Sequence, residues 1–303
     1  MASNHPCNTK RETVMKANRI LYVAKEVVPF TASTVMSETC RHLPQAIQEM
    51  GHEIRTFMPK WGCINERRNQ LHEVIRLSGM NLIINDTDHP LIIKVASLQM
   101  ARMQVYFIDN DDYFSRIRLD DPELRSASFK DNDERTIFFA RGVLETMKKL
   151  RWYPDVIHLH GWVGMIVGLY AKVLFKDEPA YRNSRIIVSL YADDDFDALF
   201  CDDFFERLRT KAMPEFDTEG INTPMNSTEL FKLAIKYSDG VIVNAPSGYD
   251  QQALDYARQI GKPILDYPGE ENYYNACHQF YELICGGNEE EEEEESFIIP
   301  RKK

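Results

Sequence analysis

The sequence predicts an α/β fold of the Rossmann-like kind: a doubly wound parallel sheet with helices on both faces and a β-hairpin or meander region inserted after the first βαβ unit. Residues 19–59 read as strand, turn, helix and strand, a crossover long enough to join parallel neighbours in the right-handed sense. From residue 131 to 285, apolar runs alternate with amphipathic helical patterns, the order that lays strands side by side in parallel. Between these stretches, residues 71–109 change to the period-two alternation of antiparallel strands.

Residues 19–24 (RILYVA) are β-prone, and Pro29 ends any ladder because it has no N–H to donate. Ser33 or Ser37 can cap the helix predicted over 35–50, where Met36, Leu43, Ile47 and Met50 recur at helical spacing and Gly51 suits the left-handed residue past its end. A second strand follows at 53–58. The runs HEVIRL, NLII, LIIKVASL and QVYFID, separated by Ser-Gly and Asn-Asp turn pairs, form the meander. Residues 131–150 return to helix, with Ile137, Phe138, Ala140, Val143, Leu144, Met147 and Leu150 on one broad apolar face. Then come a strand at 154–159, a helix at 162–175, a strand at 185–191, an acidic loop, helices at 228–238 and 247–259 around a strand at 240–244, and a last strand (262–265) and helix (269–285).

No repeat or Pro/Gly/Ser linker divides the 303 residues. One domain over 19–285 is expected, between a disordered arm at 1–18 and an acidic disordered tail at 286–303. The formal charge of −11 is concentrated: Glu289 to Glu295 supply seven negatives, and without them the balance is −4. A mildly acidic body with no basic stripe is a poor nucleic-acid binder. The first eighteen residues lack the apolar core of a signal peptide and no run reaches membrane-spanning length, so the expectation is a cytoplasmic protein with neither nucleic acid nor membrane as partner. Six cysteines without a C-x-x-C pair argue against a zinc or disulfide framework, and no cofactor is expected.

Ordered segments resemble the bacterial glycogen and plant starch synthases: VAKEVVPF (23–30), Leu43-Pro44, GHEIRTFMPKWG (51–62), YFIDNDDYFSR (106–116), DNDERTIFFARGVLE (131–145), YPDVIHLHGW (153–162) and, more weakly, residues 230–252. The resemblance implies the N-terminal half of a GT-B glycosyltransferase, the half that mainly holds the glucan acceptor while glucose moves from a nucleotide sugar to an α-1,4-glucan. It also marks departures. The family turn Lys-Thr-Gly-Gly-Leu, which receives donor phosphates, corresponds here to Ala32, Ser33, Thr34, Val35 and Met36. In the family's His-Asp-Trp the aspartate becomes Gly161, between His160 and Trp162; in its Thr-Ile-His-Asn the histidine becomes Leu190, before Tyr191. All three changes fall at strand ends around one expected crevice. Losing a charge-assisted phosphate contact costs about 1.5–3 kcal/mol, and β-branched Val35 resists the positive φ of a Gly-Gly turn. The family's second domain is expected to be missing after residue 252.

These residues support two readings: a glucosyltransferase completed by a protein partner that supplies the second domain, or a non-catalytic glucan- or partner-binding descendant. An α-glucan is the expected ligand, a nucleotide sugar is disfavoured, and no catalytic residue is assigned. His158 and His160 share one face of a strand. His160 either lines a sugar pocket with Trp162 and Tyr191 or is a packed histidine satisfying backbone; for His158 the packed role is expected. The pair lacks a third convergent ligand, so no metal is expected there. Asn132 and Arg135 keep the family's Asp-Asn-x-x-Arg spacing and either shape an acceptor site or serve as helix cap and surface ion partner. Asp193, Asp194, Asp195, Asp197, Asp202 and Asp203 read as a solvated acidic loop.

Overall fold

The computed structural model describes residues 17–98, 101–121, 123–124, 129–192, 200, 202–209 and 213–286. Residues 1–16 of the expected arm, the tail from 287, and Asp193, Asp194, Asp195 and Asp197 lie outside the described residues. Ala17 and Asn18, assigned to the arm on sequence, belong to the domain: Ala17 is fully buried, and the Asn18 N–H donates to Asp155 Oδ2 at 2.9 Å.

The strands are β1 (Arg19–Ala24), β2 (Glu53–Pro59), β3 (His72–Glu73), β4 (Met80–Ile84), β5 (Thr87–Leu98), β6 (Met103–Asp109), β7 (Val156–His160), β8 (Arg185–Leu190), β9 (Gly240–Val243) and β10 (Ile264–Leu265). They form one sheet in the order β10-β9-β8-β7-β1-β2-β6-β5-β3, with β4 paired to β5. From β10 to β6 every pairing is parallel. The meander is therefore no separate insertion. Its last strand, β6, pairs in parallel with β2, and β5 turns back antiparallel on β6, so the meander extends the main sheet. Of HEVIRL only His72–Glu73 pairs as strand, because the chain turns at Val74, whose carbonyl accepts from the Leu77 N–H.

The winding direction reverses between β1 and β7, since β2 lies to one side of β1 and β7 to the other. In a doubly wound sheet the strand C-termini at such a reversal diverge into a crevice. Alternation sorts the core. Ile20, Tyr22, Val156, Ile187 and Ile242 meet Leu43 and Ile47 of α1 (Val35–Glu49) and Tyr273, Cys277, Phe280, Tyr281 and Ile284 of α7 (Tyr273–Gly286). Leu21, Val23, Ile157, Leu159, Ile186, Val188 and Val241 join the core built with α2 (Asn132–Leu150), α3 (Val167–Leu169), α5 (Ser227–Lys236) and α6 (Gln251–Gln259). A short α4 (Phe204–Leu208) packs near α2.

Thr34, and neither serine, caps α1. Its hydroxyl accepts from the Ser37 N–H at 3.0 Å while Ser37 Oγ accepts from the Thr34 N–H at 2.8 Å, a closed capping box. The helix expected over 162–175 is broken into a 3-10 turn (Trp162–Gly164), α3, and a π turn (Tyr170–Leu174). The segment is pressed onto the sheet: a Cβ on Gly164 would lie 2.9 Å from Val23 Cγ1, and one on Gly168 2.9 Å from Ile186 Cγ2. Helix α6 starts later than its apolar pattern because Asp250 caps it, accepting from the Ala253 N–H at 3.0 Å, and Gly248 upstream takes a φ of 85°.

Candidate functional site

The crevice mouth is built where β1 and β7 end side by side. The Lys25 N–H donates to the His160 carbonyl at 2.9 Å, and Trp61 Nε1–H donates to the Lys25 carbonyl at 2.7 Å, fixing the exit of β1. Gly161 follows with φ 81° and ψ 154°, a region essentially reserved for glycine. A Cβ there would lie 2.6 Å from Lys25 Cβ and 3.0 Å from Met36 Sδ. The stem of Lys25 thus occupies the space a side chain at 161 would need. Gly161→Asp is expected to destabilise the protein by about 1–3 kcal/mol through backbone strain alone, read as a lower urea midpoint; unchanged stability would mean that β1 and β7 exit differently.

His158 and His160 do share a face, with ring centroids 3.9 Å apart, and both are fully buried. His158 bonds Tyr281 Oη through Nδ1 at 2.8 Å and Ser189 Oγ through Nε2 at 2.7 Å, so α7 is fastened to the sheet through this ring. His160 Nδ1 meets Tyr191 Oη at 2.7 Å, while its buried Nε2 makes no hydrogen bond. Burial pushes the His160 pKa down to about 3; it also pushes His158 well below the usual imidazole range, with the neighbouring His160 ring adding to the effect. Both rings are neutral at physiological pH. Trp162 is fully buried too, with its ring centroid 6.5 Å from that of Trp61, so a sugar reaches neither face of the indole without side-chain movement.

Arg135 is not a surface ion partner. It is fully buried, donating from Nε to the Tyr113 carbonyl at 2.7 Å, from a terminal nitrogen to Asp131 Oδ1 at 2.9 Å, and from the other to Asn132 Oδ1. Nor does Asn132 cap α2. It occupies the first helical position, and its Nδ2 donates to the Phe129 carbonyl at 2.6 Å. Of the acidic loop, Asp203 lies within the described residues and grips Arg207 Nε with both carboxylate oxygens at 3.0 Å.

A cleft of about 560 Å³ opens between the start of α1 and the chain leading into α7. One wall carries Ser33, Thr34, Val35, Glu38 and His42, the other Tyr267, Glu270 and Tyr274, with Asn244 and Tyr273 between them. Leu190 and Tyr191 line a separate cavity of about 210 Å³ with Phe231, Tyr249 and Asp250. The two are linked through Asn244, whose N–H donates to the Leu190 carbonyl at 2.9 Å and whose Oδ1 accepts from Tyr273 Oη. The family-variant positions therefore sit at neighbouring strand ends but open onto different spaces: Ser33, Thr34 and Val35 onto the larger cleft, Leu190 onto the smaller, and Gly161 against Lys25.

A family model described as the starch synthase catalytic domain matches residues 19–258. The chain belongs to the starch synthase catalytic domain family. It is 30% identical over 269 residues to the glycogen synthase of Chlorobaculum tepidum, covering 89% of this chain and 52% of that protein. It is 35% identical over 173 residues to the glycogen synthase of Chlorobium luteolum, covering 57% of this chain and 35% of that one. The chain thus spans about a third to a half of the length of these relatives. The catalytic domain of Starch Synthase IV from Arabidopsis thaliana, solved bound to ADP and acarbose, superposes with a TM-score of 0.60 at 17% identity over 83% of this chain and 51% of that one. At that identity the likeness concerns fold: this member of the starch synthase family has a largely parallel ten-strand sheet that matches about half of a GT-B starch synthase catalytic domain. Among the described residues no helix is long and apolar enough to cross a membrane.

Sequence reasoning missed the second wall of the large cleft. Tyr267, Glu270 and Tyr274 lie beyond the family match, in a stretch read only as the link from a last strand (262–265) and the start of a helix over 269–285; the helix begins at Tyr273. The signal available was the aromatic and acidic cluster DYPGEENYY at 266–274.

Proposed function

We propose that this family member holds an α-glucan in the cleft between α1 and the segment before α7, without itself binding the nucleotide sugar or transferring glucose. The observation that carries this reading is the chemistry at the start of α1. A helix N-terminus receives phosphates through unengaged backbone N–H groups; here the Thr34 and Ser37 N–H groups are consumed by the capping box. Val35 stands 52% exposed at the cleft, where it offers a diphosphate no donor from its side chain. Glu38 and Glu270 face the same space, and their negative field opposes a pyrophosphate. Tyrosine rings beside carboxylates suit a neutral, hydroxyl-rich chain: the rings cover sugar faces and the carboxylates accept from hydroxyls.

In this reading His160, Trp162, Asn132, Arg135 and Tyr191 support the crevice from behind and do not touch the ligand. Family membership favours a second reading, in which a partner chain carrying the other lobe completes a glucosyltransferase. Calorimetry with ADP-glucose, UDP-glucose and maltoheptaose, followed by an assay of glucose incorporation into glycogen, separates the two. Binding of maltoheptaose alone, with no incorporation, is the expected result. Micromolar donor affinity with turnover would overturn it.

A further inference from the structure

The α7 helix is held to the domain at a second place, at the opposite end of the parallel strands from the crevice. His52 immediately precedes β2, at the amino-terminal end of the parallel strands. There its ring meets His278, with the two Nε2 atoms 2.9 Å apart, and Glu282 Oε1 lies 3.9 Å from His278 Nε2. Ligand atoms from all three residues fall within 4.8 Å of one another. We propose that His52, His278 and Glu282 form a binding site for a divalent transition metal of the zinc class, which clips α7 to the turn between α1 and β2.

Four features of the geometry converge. His278 and Glu282 stand four residues apart on one helix and so project from the same face. His52 Nδ1 contacts the carbonyl oxygen of Ala17, which can only accept, so this nitrogen carries the proton and Nε2 turns its lone pair toward His278. A metal-binding histidine is commonly oriented in this way by a backbone carbonyl on its other nitrogen. Glu282 Oε1 is buried and has no hydrogen-bond partner. The His278 and Glu282 side chains keep exposures of 30% and 33%, leaving an approach for the ion and room for a water as fourth ligand.

A metal-free account leaves one of these features without a role. An N–H···N bond between the imidazoles explains the 2.9 Å contact but leaves Glu282 Oε1 with no hydrogen bond, only the 3.9 Å approach to His278 Nε2. Two imidazoles on a tetrahedral zinc sit roughly 3.3 Å apart at their nitrogens, given Zn–N bonds of about 2.0–2.1 Å, so the rings need part by only a few tenths of an ångström. Two imidazoles with one carboxylate suit zinc and its neighbours, whereas Ca²⁺ and Mg²⁺ seek oxygen.

The test uses the full chain, stripped with EDTA, exchanged into metal-free buffer and titrated with ZnCl₂ by calorimetry, with thermal unfolding in parallel. The expected result is one Zn²⁺ per chain and a rise in Tm of roughly 5 °C at a hundredfold excess over Kd. His278→Ala and Glu282→Gln should each weaken binding by more than tenfold, the lower bound set by loss of a mere outer-sphere partner. His72→Ala, which removes an exposed histidine in β3, should leave the isotherm unchanged. Absence of Zn²⁺ binding, or binding that survives both His278→Ala and Glu282→Gln, overturns the proposal. Far-UV circular dichroism confirms that the variants fold, and Glu282→Gln decides alone if His278→Ala does not.

Discussion

Arg135→Met is expected to cost about 3–5 kcal/mol of folding stability, the usual loss when one member of a buried charged network is removed. The guanidinium has no solvent contact, and its three nitrogens are committed to the Tyr113 carbonyl, Asn132 Oδ1 and Asp131 Oδ1. Burial is the chief force lowering its pKa, to about 9, with the charge of Arg116 adding to it and Asp133, Tyr113 and Glu134 opposing; the group stays cationic at neutral pH. Methionine fills much of the volume but removes the donors that Arg135 supplies to the Tyr113 carbonyl and Asn132 Oδ1. Asp131 suffers less, because Arg116 also reaches its other oxygen. Arg135→Lys should recover only part of the loss, since an ammonium cannot reproduce the planar fork that reaches a carbonyl, an amide and a carboxylate at once. Urea titration at pH 7.5 reads both variants. A cost below about 1 kcal/mol for the methionine variant, the level of an exposed ion pair, would refute the buried-network role.

What the sequence revealed and what it concealed divide along the range of the interactions involved. The β1-α1-β2 unit was legible because its apolar spacing is local, and the shared face of His158 and His160 followed from strand periodicity alone. The adjacency of the β1, β7 and β8 ends followed from the rule that winding reverses at a switch point. Arg135 was misjudged because a charged residue near a helix start reads as solvated. Its burial depends on Tyr113 and Phe129, which neighbour it only after folding. The break after Gly161 was hidden for a similar reason: an apolar run spanning residues 162–175 suits a helix in isolation, and only the close approach of Gly164 to Val23 and of Gly168 to Ile186 shows why the turns change width. The capping box was visible as Thr34 and Ser37 at the right spacing. The sequence offered Ser33 or Ser37 as the cap, whereas Thr34 caps the helix and Ser37 closes the box from the third helical position. The cleft escaped because its far wall comes from residues 267–274, whose position depends on α7 docking through Tyr281 and Tyr273.

That docking should fail in acid. Tyr22, Tyr281 and Ser189 surround His158, and Tyr191 meets His160; these partners are neutral, so the pair has no carboxylate to stabilise an imidazolium. Between the unfolded-state value near 6.5 and the folded value of about 3 for His160, the unfolded chain binds a proton that the folded chain refuses. Stability rises with pH wherever the unfolded state holds more protons, so it falls as pH drops through this window. For His160 the loss approaches 1.36 kcal/mol per pH unit, or about 2 kcal/mol at pH 5, and His158, also lowered by burial, adds to it in the same direction. Asp109 and Asp133, raised by burial, take up protons more readily folded than unfolded and oppose the trend toward the acid end. Urea midpoints measured from pH 7.5 to 5 should therefore fall, and His160→Asn, which removes one of the two titrations, should make the slope shallower. A flat profile between pH 7 and 5.5 would mean that one or both rings reach solvent or a carboxylate in the folded protein.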